Sequence, residues 1–341
     1  MARSPSPLCR LRPLRRRRLL GAGVALLAGG VAAQTALPTP PQPTPARPVR
    51  FLVPAPPGGP ADLFARLFAT HCAQAFGTPF VVENRPGAAG AIANLALARS
   101  APDGTNFLIG SNSTFVLTPL LHKNAGYDPL RDFASVGTLT SYPSLLLGRP
   151  AAPFRDIAGL LQQAKARPGE LNYASFGVGS LGHMANAYLC HEAGIRVTHV
   201  NYPGTAAVLQ ALAKGEADYG FDSYGNARAL IEAGKLVPLA FSGAQRDRRQ
   251  PQIPTLAESG FPQFDIRIWL GFVAPVGTPA EAIARLNAAM AAFAALPETQ
   301  QRLDHMASDA DLTSPAAMQQ RLVHERSFWA GVVRDSKVVV E

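Results

Sequence analysis

Apolar residues along the chain follow two rhythms that take turns. Short apolar runs at residues 49–53, 80–83, 107–110, 197–200, 219–221 and 238–241 are bounded by glycine, proline or small polar residues, as buried strands are. Between them lie stretches with helical spacing. The clearest carries Leu63, Phe64, Leu67, Phe68, Cys72 and Ala75 on one face. Further helices are expected over 88–100, 156–167, 206–214 and 227–233, and behind Gly277-Thr278-Pro279, where Ile283, Leu286, Met290 and Phe293 repeat with helical period. Strands that alternate with helices pair in parallel, so the pattern predicts an α/β fold of mostly parallel sheets flanked by helices.

Two runs stand apart from this alternation. Residues 134–147 form an apolar strand that leads out of the first series and into a second, and residues 264–274, centred on Trp269, form another strand-like run. If these are the two crossings of one hinge, the C-terminal helices return to the first domain. A two-lobed clamp results, with lobe 1 at 49–142 and 265–341 and lobe 2 at 143–264. The roughly 290 residues available exceed what one core usually holds and suit two domains.

Composition changes the picture mainly through the N-terminus. Arg15, Arg16, Arg17 and Arg18, an uncharged apolar stretch over 19–31 and Val31-Ala32-Ala33 read as a secretory signal over residues 1–33, of Sec or twin-arginine type. Its apolar stretch falls short of the ~20 residues a membrane-spanning helix needs, so export to the periplasm is expected rather than anchoring. Residues 34–48 are proline-rich and read as an extended linker. The formal charge of +9 is largely a property of the leader, which holds seven arginines and no acid, leaving +2 for the rest. That balance gives no reason to expect nucleic acid or a lipid surface as partner. Beyond the leader only Cys72 and Cys190 remain, read as small buried apolar residues in different lobes, and the seven histidines show no metal spacing.

Candidate chemistry concentrates at strand-to-helix junctions. Residues 171–184 read as strand, glycine-serine loop and helix start, where backbone N–H groups and hydroxyls converge and the helix dipole favours an anion. Ser175, Gly177, Gly179, Ser180 and, in the helix's first turns, His183 are the candidates. Gly177, Gly179 and Gly182 also satisfy G-x-G-x-x-G, the basis of an alternative reading as an exported NAD(P)-dependent oxidoreductase. That fingerprint expects an acidic residue at the end of the next strand, and Asn201 stands there. A second glycine-tipped junction holds Pro57, Gly58, Gly59 and Ala61, with Asp62 in the helix's first turn. At the end of a third strand Ser111, Asn112, Ser113 and Thr114 offer more hydrogen-bonding side chains than one helix cap uses. Asp222, at another strand end, can either cap the next helix or meet a ligand. No G-x-S-x-G elbow and no paired carboxylates appear, so an enzyme is not expected, and neither cofactor nor metal is called for.

The ordered set Pro56-Pro57-Gly58-Gly59 with Asp62, Val82-Glu83-Asn84-Arg85-Pro86-Gly87, Pro102-Asp103-Gly104, Tyr127-Asp128-Pro129, Leu171-Asn172-Tyr173-Ala174-Ser175 and Gly277-Thr278-Pro279 resembles the periplasmic substrate-binding receptors of tripartite tricarboxylate transporters, the Bug proteins. The resemblance covers residues 49–341. It implies a periplasmic-binding-protein flytrap that takes a small carboxylate (a di- or tricarboxylate, an aromatic acid or an amino acid) between two lobes and hands it to a large and a small inner-membrane subunit. It further implies ligand contact by the loops at 57–61, 111–114 and 175–180. The family's tyrosine-lysine-glycine loop appears as Tyr202-Pro203-Gly204, followed by Thr205, and its aspartate-asparagine pair as Asp222-Ser223. Both departures fall where the ligand's variable end would lie. The receptor is expected to be monomeric.

Overall fold

The computed structural model describes residues 47–122, 124–336 and 338; the predicted signal peptide and residues 34–46 of the linker lie outside the described residues. Strand β1 (Val49–Val53) pairs in parallel with β2 (Phe80–Asn84) and with β3 (Asn106–Ser111), and α1 (Pro60–Phe76) and α2 (Ala91–Ala98) make the crossovers. The helix expected from residue 88 starts later because Ala88 and Ala89 take φ of 47° and 50°, left-handed geometry that an α-helix cannot include. Beyond β3 the chain makes a π-helical turn, Ser113–Leu117, and runs through α3 (Thr118–Leu121) and α4 (Pro129–Asp132) into β4 (Phe133–Gly148).

This strand organises the sheet. Its 16 residues are nearly all buried, and its partners change along its length. Residues 133–143 pair antiparallel with β9 (Arg267–Pro275), whereas residues 144–148 pair antiparallel with β7 (Tyr219–Ser223) and, on the other side, β8 (Val237–Phe241). Beyond β7 lie β5 (Asn172–Ser175) and β6 (Thr198–Asn201), both parallel. The order is β2-β1-β3-β9-β4-β7-β5-β6, with parallel strands outermost and antiparallel pairs where the crossing strands run. Register slips between Ser135 and Gly137 and between Thr138 and Thr140 mark bulges, which bend and twist a strand that must serve two sheets.

Helices α5 (Ile157–Ala166), α6 (Leu181–Ala193), α7 (Thr205–Lys214) and α8 (Tyr224–Glu232) flank the second set of strands. Past β9 come α9 (Ala280–Ala294), α10 (Pro297–His305), the short β10 (Asp309–Ala310), which pairs with β4, and α11 (Pro315–Asp335). Side-chain alternation sorts the strands onto separate cores: Phe51 and Val53 join Phe64, Phe68, Phe272 and Phe293 under α1 and α9, while Leu52 faces the opposite way. Likewise Leu145 and Leu147 pack with Val208, Leu212 and Phe241, and Leu146 does not. The core containing Leu52 and Leu146 is shared by both sets of strands, and α11 lies on it through Met318, Leu322, Trp329 and Val332.

Candidate functional site

The loop from β1 to α1 is pinned by one carboxylate. Asp62, 4% exposed, sits in the first turn of α1 and accepts from the Gly58 amide at 3.0 Å, from Asn84 Nδ2 at 2.9 Å and from Arg66, whose guanidinium approaches to 2.9 Å. Asn84 also donates to the Ala55 carbonyl at 3.1 Å, so the end of β2 ties the loop down from the other side. Burial works against the Asp62 charge, but the Arg66 pair and the Gly58 and Asn84 bonds outweigh it and hold the carboxyl below its ordinary value. Pro57 and Gly58 stay exposed, and Gly59 and Ala61 are half-buried at the helix start.

After β3 the four candidate side chains divide. Asn112 is buried and donates to the Arg267 carbonyl at 2.9 Å, reaching the start of β9. Thr114 folds back on Ser111, donating to its carbonyl at 3.1 Å and accepting from its amide at 3.2 Å. Gly110 admits this tight turn, since a Cβ there would lie 2.5 Å from the Phe115 ring. Ser111 and Ser113 remain as the half-buried hydroxyls.

The loop from β5 to α6 is held by neutral groups. Ser180 is the N-cap of α6: its Oγ accepts from the His183 amide at 3.3 Å and donates to the Gly177 carbonyl at 2.8 Å. The Gly179 amide donates to His183 Nδ1 at 3.3 Å, the Ser180 amide to the Gly177 carbonyl at 3.1 Å, and the Gly177 amide weakly to Ser175 Oγ at 3.4 Å. The Gly177, Gly179 and Ser180 amides are thus engaged within the loop itself. Helix geometry instead gives no intrahelical partner to the Leu181 and Gly182 amides, which head α6, and no acidic side chain stands in its first turn. Ser175 Oγ also meets His199 Nε2 at 2.7 Å, and the His183 and His199 rings lie 4.4 Å apart. Burial, with His199 beside it, draws the His183 imidazole down to about 4, so both rings are neutral supports.

At the candidate loops the two strand sets meet in two ways. Gly179, at φ +80°, packs so closely on the end of α3 that a Cβ would lie 2.9 Å from Leu121 and 3.7 Å from His122 Nε2, a buried nitrogen with no partner among the described residues. A cavity of about 140 Å³ opens where the start of α1 faces Tyr142 of β4, Ser223 and Asn226, with Arg302 and His305 of α10 on its rim. Asp222 stands beside it, accepting from Asn226 Nδ2 at 2.9 Å and from the Ser223 amide at 2.7 Å and meeting Thr205. Burial raises its carboxyl to about 6 despite those bonds, and its Oδ2 has no partner among the described residues. The cap of α8 is Ser223, whose Oγ accepts from the Asn226 amide, so Asp222 does not serve as that cap. Tyr202 and Gly204 lie in the β6–α7 turn, the Tyr202 amide donating to the Ser175 carbonyl at 2.9 Å. His122, His199, Tyr142, Arg302 and His305 escaped the sequence reading because none belongs to a pattern that periodicity or spacing marks. Trp269, expected in the hinge packing, is buried and donates from Nε1 to Glu325 at 2.6 Å. Cys72 and Cys190 are free thiols, and among the described residues no cluster of His, Cys, Asp or Glu could hold a metal.

Residues 64–334 match the family described as the tripartite tricarboxylate transporter family receptor. Protein BugT of Bordetella pertussis is 31% identical over 325 residues, covering 92% of this chain and 95% of its own. Among solved structures, Rpa4515 of R. palustris with adipate superposes with a TM-score of 0.80 at 33% identity, over 86% of this chain and 99% of that one. MatC of Rhodopseudomonas palustris with bound malate gives 0.76 at 33% identity, over 85% and 100%. The fold is the mixed α/β fold of periplasmic binding proteins, and the chain belongs to the tripartite tricarboxylate transporter receptor family, the Bug proteins.

Proposed function

We propose that the protein is an exported receptor that captures a small carboxylate between its two strand sets and delivers it to the large and small membrane subunits of a transporter. The observation that carries this reading is the meeting of α6 with α3 at Gly179: a helix start without a resident negative charge packs directly against the end of α3, which belongs to the other strand set. Adipate and malate in the two related structures support a dicarboxylate as the ligand class. Lobe 1 then comprises residues 49–142 and 265–341 and lobe 2 residues 143–264. The change of partners along β4 at Pro143 and Ser144 supports a hinge there. A ligand held from both sides favours the closed arrangement, so binding should shrink the radius of gyration in small-angle scattering.

The direct test is a thermal-shift screen of adipate, malate, tricarboxylates, aromatic acids and amino acids with the chain beginning at Gln34. A ligand at a hundred times its dissociation constant should add about 2.7 kcal/mol of stability. Stabilisation by NAD(H) or NADP(H) with no response to any carboxylate would overturn the receptor reading.

A further inference from the structure

Residues 304–309, where α10 ends and β10 begins, fall in lobe 1 and are fixed to it: Asp309 and Ala310 pair with Ser141 and Thr140 of β4, and the buried Ser308 hydroxyl donates to the Ser141 carbonyl at 3.2 Å. Yet this corner also reaches into lobe 2. A Cβ on Gly225, in the first turn of α8, would lie 3.0 Å from the Met306 carbonyl oxygen, so helix and corner meet with no room for a side chain. Ala307 joins a core whose other buried members, Leu145, Leu147, Tyr224 and Phe241 among them, all lie within residues 143–264. Its φ of 49° is left-handed geometry that alanine keeps only where surrounding contacts hold it. Arg249, in the segment between β8 and β9, closes on the corner from the other side. Its Nε donates to Asp304 at 3.1 Å, its Nη2 to the Ser308 carbonyl and to Asp309, both at 2.6 Å, and its Nη1 to neighbouring Asp247 at 2.8 Å. Arg248 pairs with Asp304 beside it, and Arg267 of β9 pairs with the other oxygen of Asp309 at 2.8 Å.

We infer that residues 304–309 are a latch that holds the lobes in the arrangement seen here, with Arg249 as the positioning residue that seats it. Two chain crossings leave a pair of lobes free to hinge. The corner adds a third connection, made only of contacts that a turn of lobe 2 must break. The Arg249 side chain is 13% exposed, so salt screens its pairs less than it screens surface ones. Each of its guanidinium nitrogens is engaged within the protein, which leaves it no part in holding a ligand. In the same arrangement Gly179 lies against the end of α3, so the latch favours the form in which the lobes meet at the candidate loops. Apparent affinity scales with the fraction of molecules in the binding-competent form, and a residue remote from the ligand thereby tunes it. That consequence for affinity rests on the receptor reading, whereas the latch rests on its contacts alone.

Small-angle scattering and isothermal titration with adipate, on the chain from Gln34, test this. Arg249→Met keeps the side chain's stem and removes its charge. It should enlarge the ligand-free radius of gyration relative to the parent and weaken adipate binding severalfold, while the adipate-bound radius returns to the parent's. Asp304→Asn removes a lobe 1 partner whose side chain is 50% exposed, a change the fold tolerates, and should act in the same direction with smaller effect. It decides the question if Arg249→Met does not fold. Arg246→Met is the control. Arg246 and Arg249 line one cavity of about 360 Å³, but the Arg246 partner, Glu258, also belongs to lobe 2, so neither radius nor affinity should change. A larger ligand-free radius in the latch variants, with no adipate bound even by the parent, supports the latch and counts against adipate as the ligand. Enlargement without loss of adipate affinity overturns the assignment of the latch to the ligand-holding form. A ligand-free radius unchanged in every latch variant that folds, even with a lower melting temperature, marks these pairs as ordinary stabilising contacts and overturns the proposal, as does equal enlargement in Arg246→Met.

Discussion

The β1–α1 and β5–α6 loops share one plan, a strand running through a glycine turn into a helix, yet they satisfy it with opposite electrostatics. In the first, Asp62 brings a carboxylate into the opening turn of α1 and secures it with Arg66 and Asn84, so the positive end of that helix already has its anion. In the second, the turn is secured by the Ser180 hydroxyl and the His183 imidazole, both uncharged, and the first turn of α6 contains no acid. A glycine-rich helix start is therefore not by itself an anion site. What matters is whether the chain has supplied the charge. On the proposed receptor function, the carboxylate belongs at α6, and the first loop presents exposed Pro57 and Gly58.

The comparison breaks most sharply if the second loop is given what the first has. Ser180→Asp keeps a good helix cap but sets a permanent negative charge at the head of α6. Affinity for the carboxylate found in the ligand screen should drop more than a hundredfold in isothermal titration while the protein melts cooperatively. An unchanged dissociation constant would remove α6 from the site. The next effect in size is on stability. Unfolded His183 takes up a proton near 6.5, whereas the folded, buried ring resists until about 4, so stability should decline as pH falls across that window by up to about 3 kcal/mol. Urea midpoints at pH 7 and pH 4.5 measure it, and His183→Asn should flatten the profile. The glycine turn of the first loop, held by a carboxylate rather than an imidazole, should not share this window.

Much of the architecture was legible beforehand because period-2 and period-3.6 burial are local signals. The stripe from Phe64 to Cys72, the strand that became β4 and the polar tips of β1, β3, β5 and β7 all lie where apolar spacing and turn residues put them. What stayed hidden depends on contacts between distant segments. Nothing local distinguishes Asn112, buried and committed to the Arg267 carbonyl, from Ser111 and Ser113 beside it. The helix start at Ala91 rather than residue 88 reflects left-handed Ala88 and Ala89, which alanine's high helix propensity argues against. His199 lies on an edge strand with no companion in sequence, and it becomes part of the Ser175 network only because β5 and β6 pair.

A smaller effect sharpens the first loop's side of the contrast. Asp62→Asn removes a charged acceptor from Gly58, Asn84 and Arg66 and should cost about 1.5–3 kcal/mol at neutral pH. Because the folded carboxyl titrates below its ordinary 3.8, that difference is present above 3.8 and should vanish as pH drops further. Carboxylate affinity should stay close to the parent's, since the residue anchors its own loop. A loss of binding larger than the loss of stability would place the ligand's charge at α1 and reverse the comparison.

The smallest predicted effect tests whether the Ser180 hydroxyl itself touches the ligand. Its proton is used by the Gly177 carbonyl and one of its two lone pairs by the His183 amide, so no donor is left over for a carboxylate. Ser180→Ala should therefore act as the loss of a helix cap, lowering stability by about 1 kcal/mol. Affinity should hold within a factor of a few, because the Leu181 and Gly182 amides and the helix dipole survive the change. A drop of tenfold or more with unaltered melting would show instead that the hydroxyl leaves Gly177 to donate to the carboxylate, a charge-assisted bond worth roughly 1.5–3 kcal/mol. Ser180→Thr separates these outcomes further, since threonine also caps but adds a methyl group beside Gly179, where the chain already packs on Leu121 with no room for a Cβ. If the loop serves only as a cap, the added methyl should leave affinity unchanged; if the hydroxyl swings out to the ligand, the methyl should hinder that swing and weaken binding with little change in melting temperature.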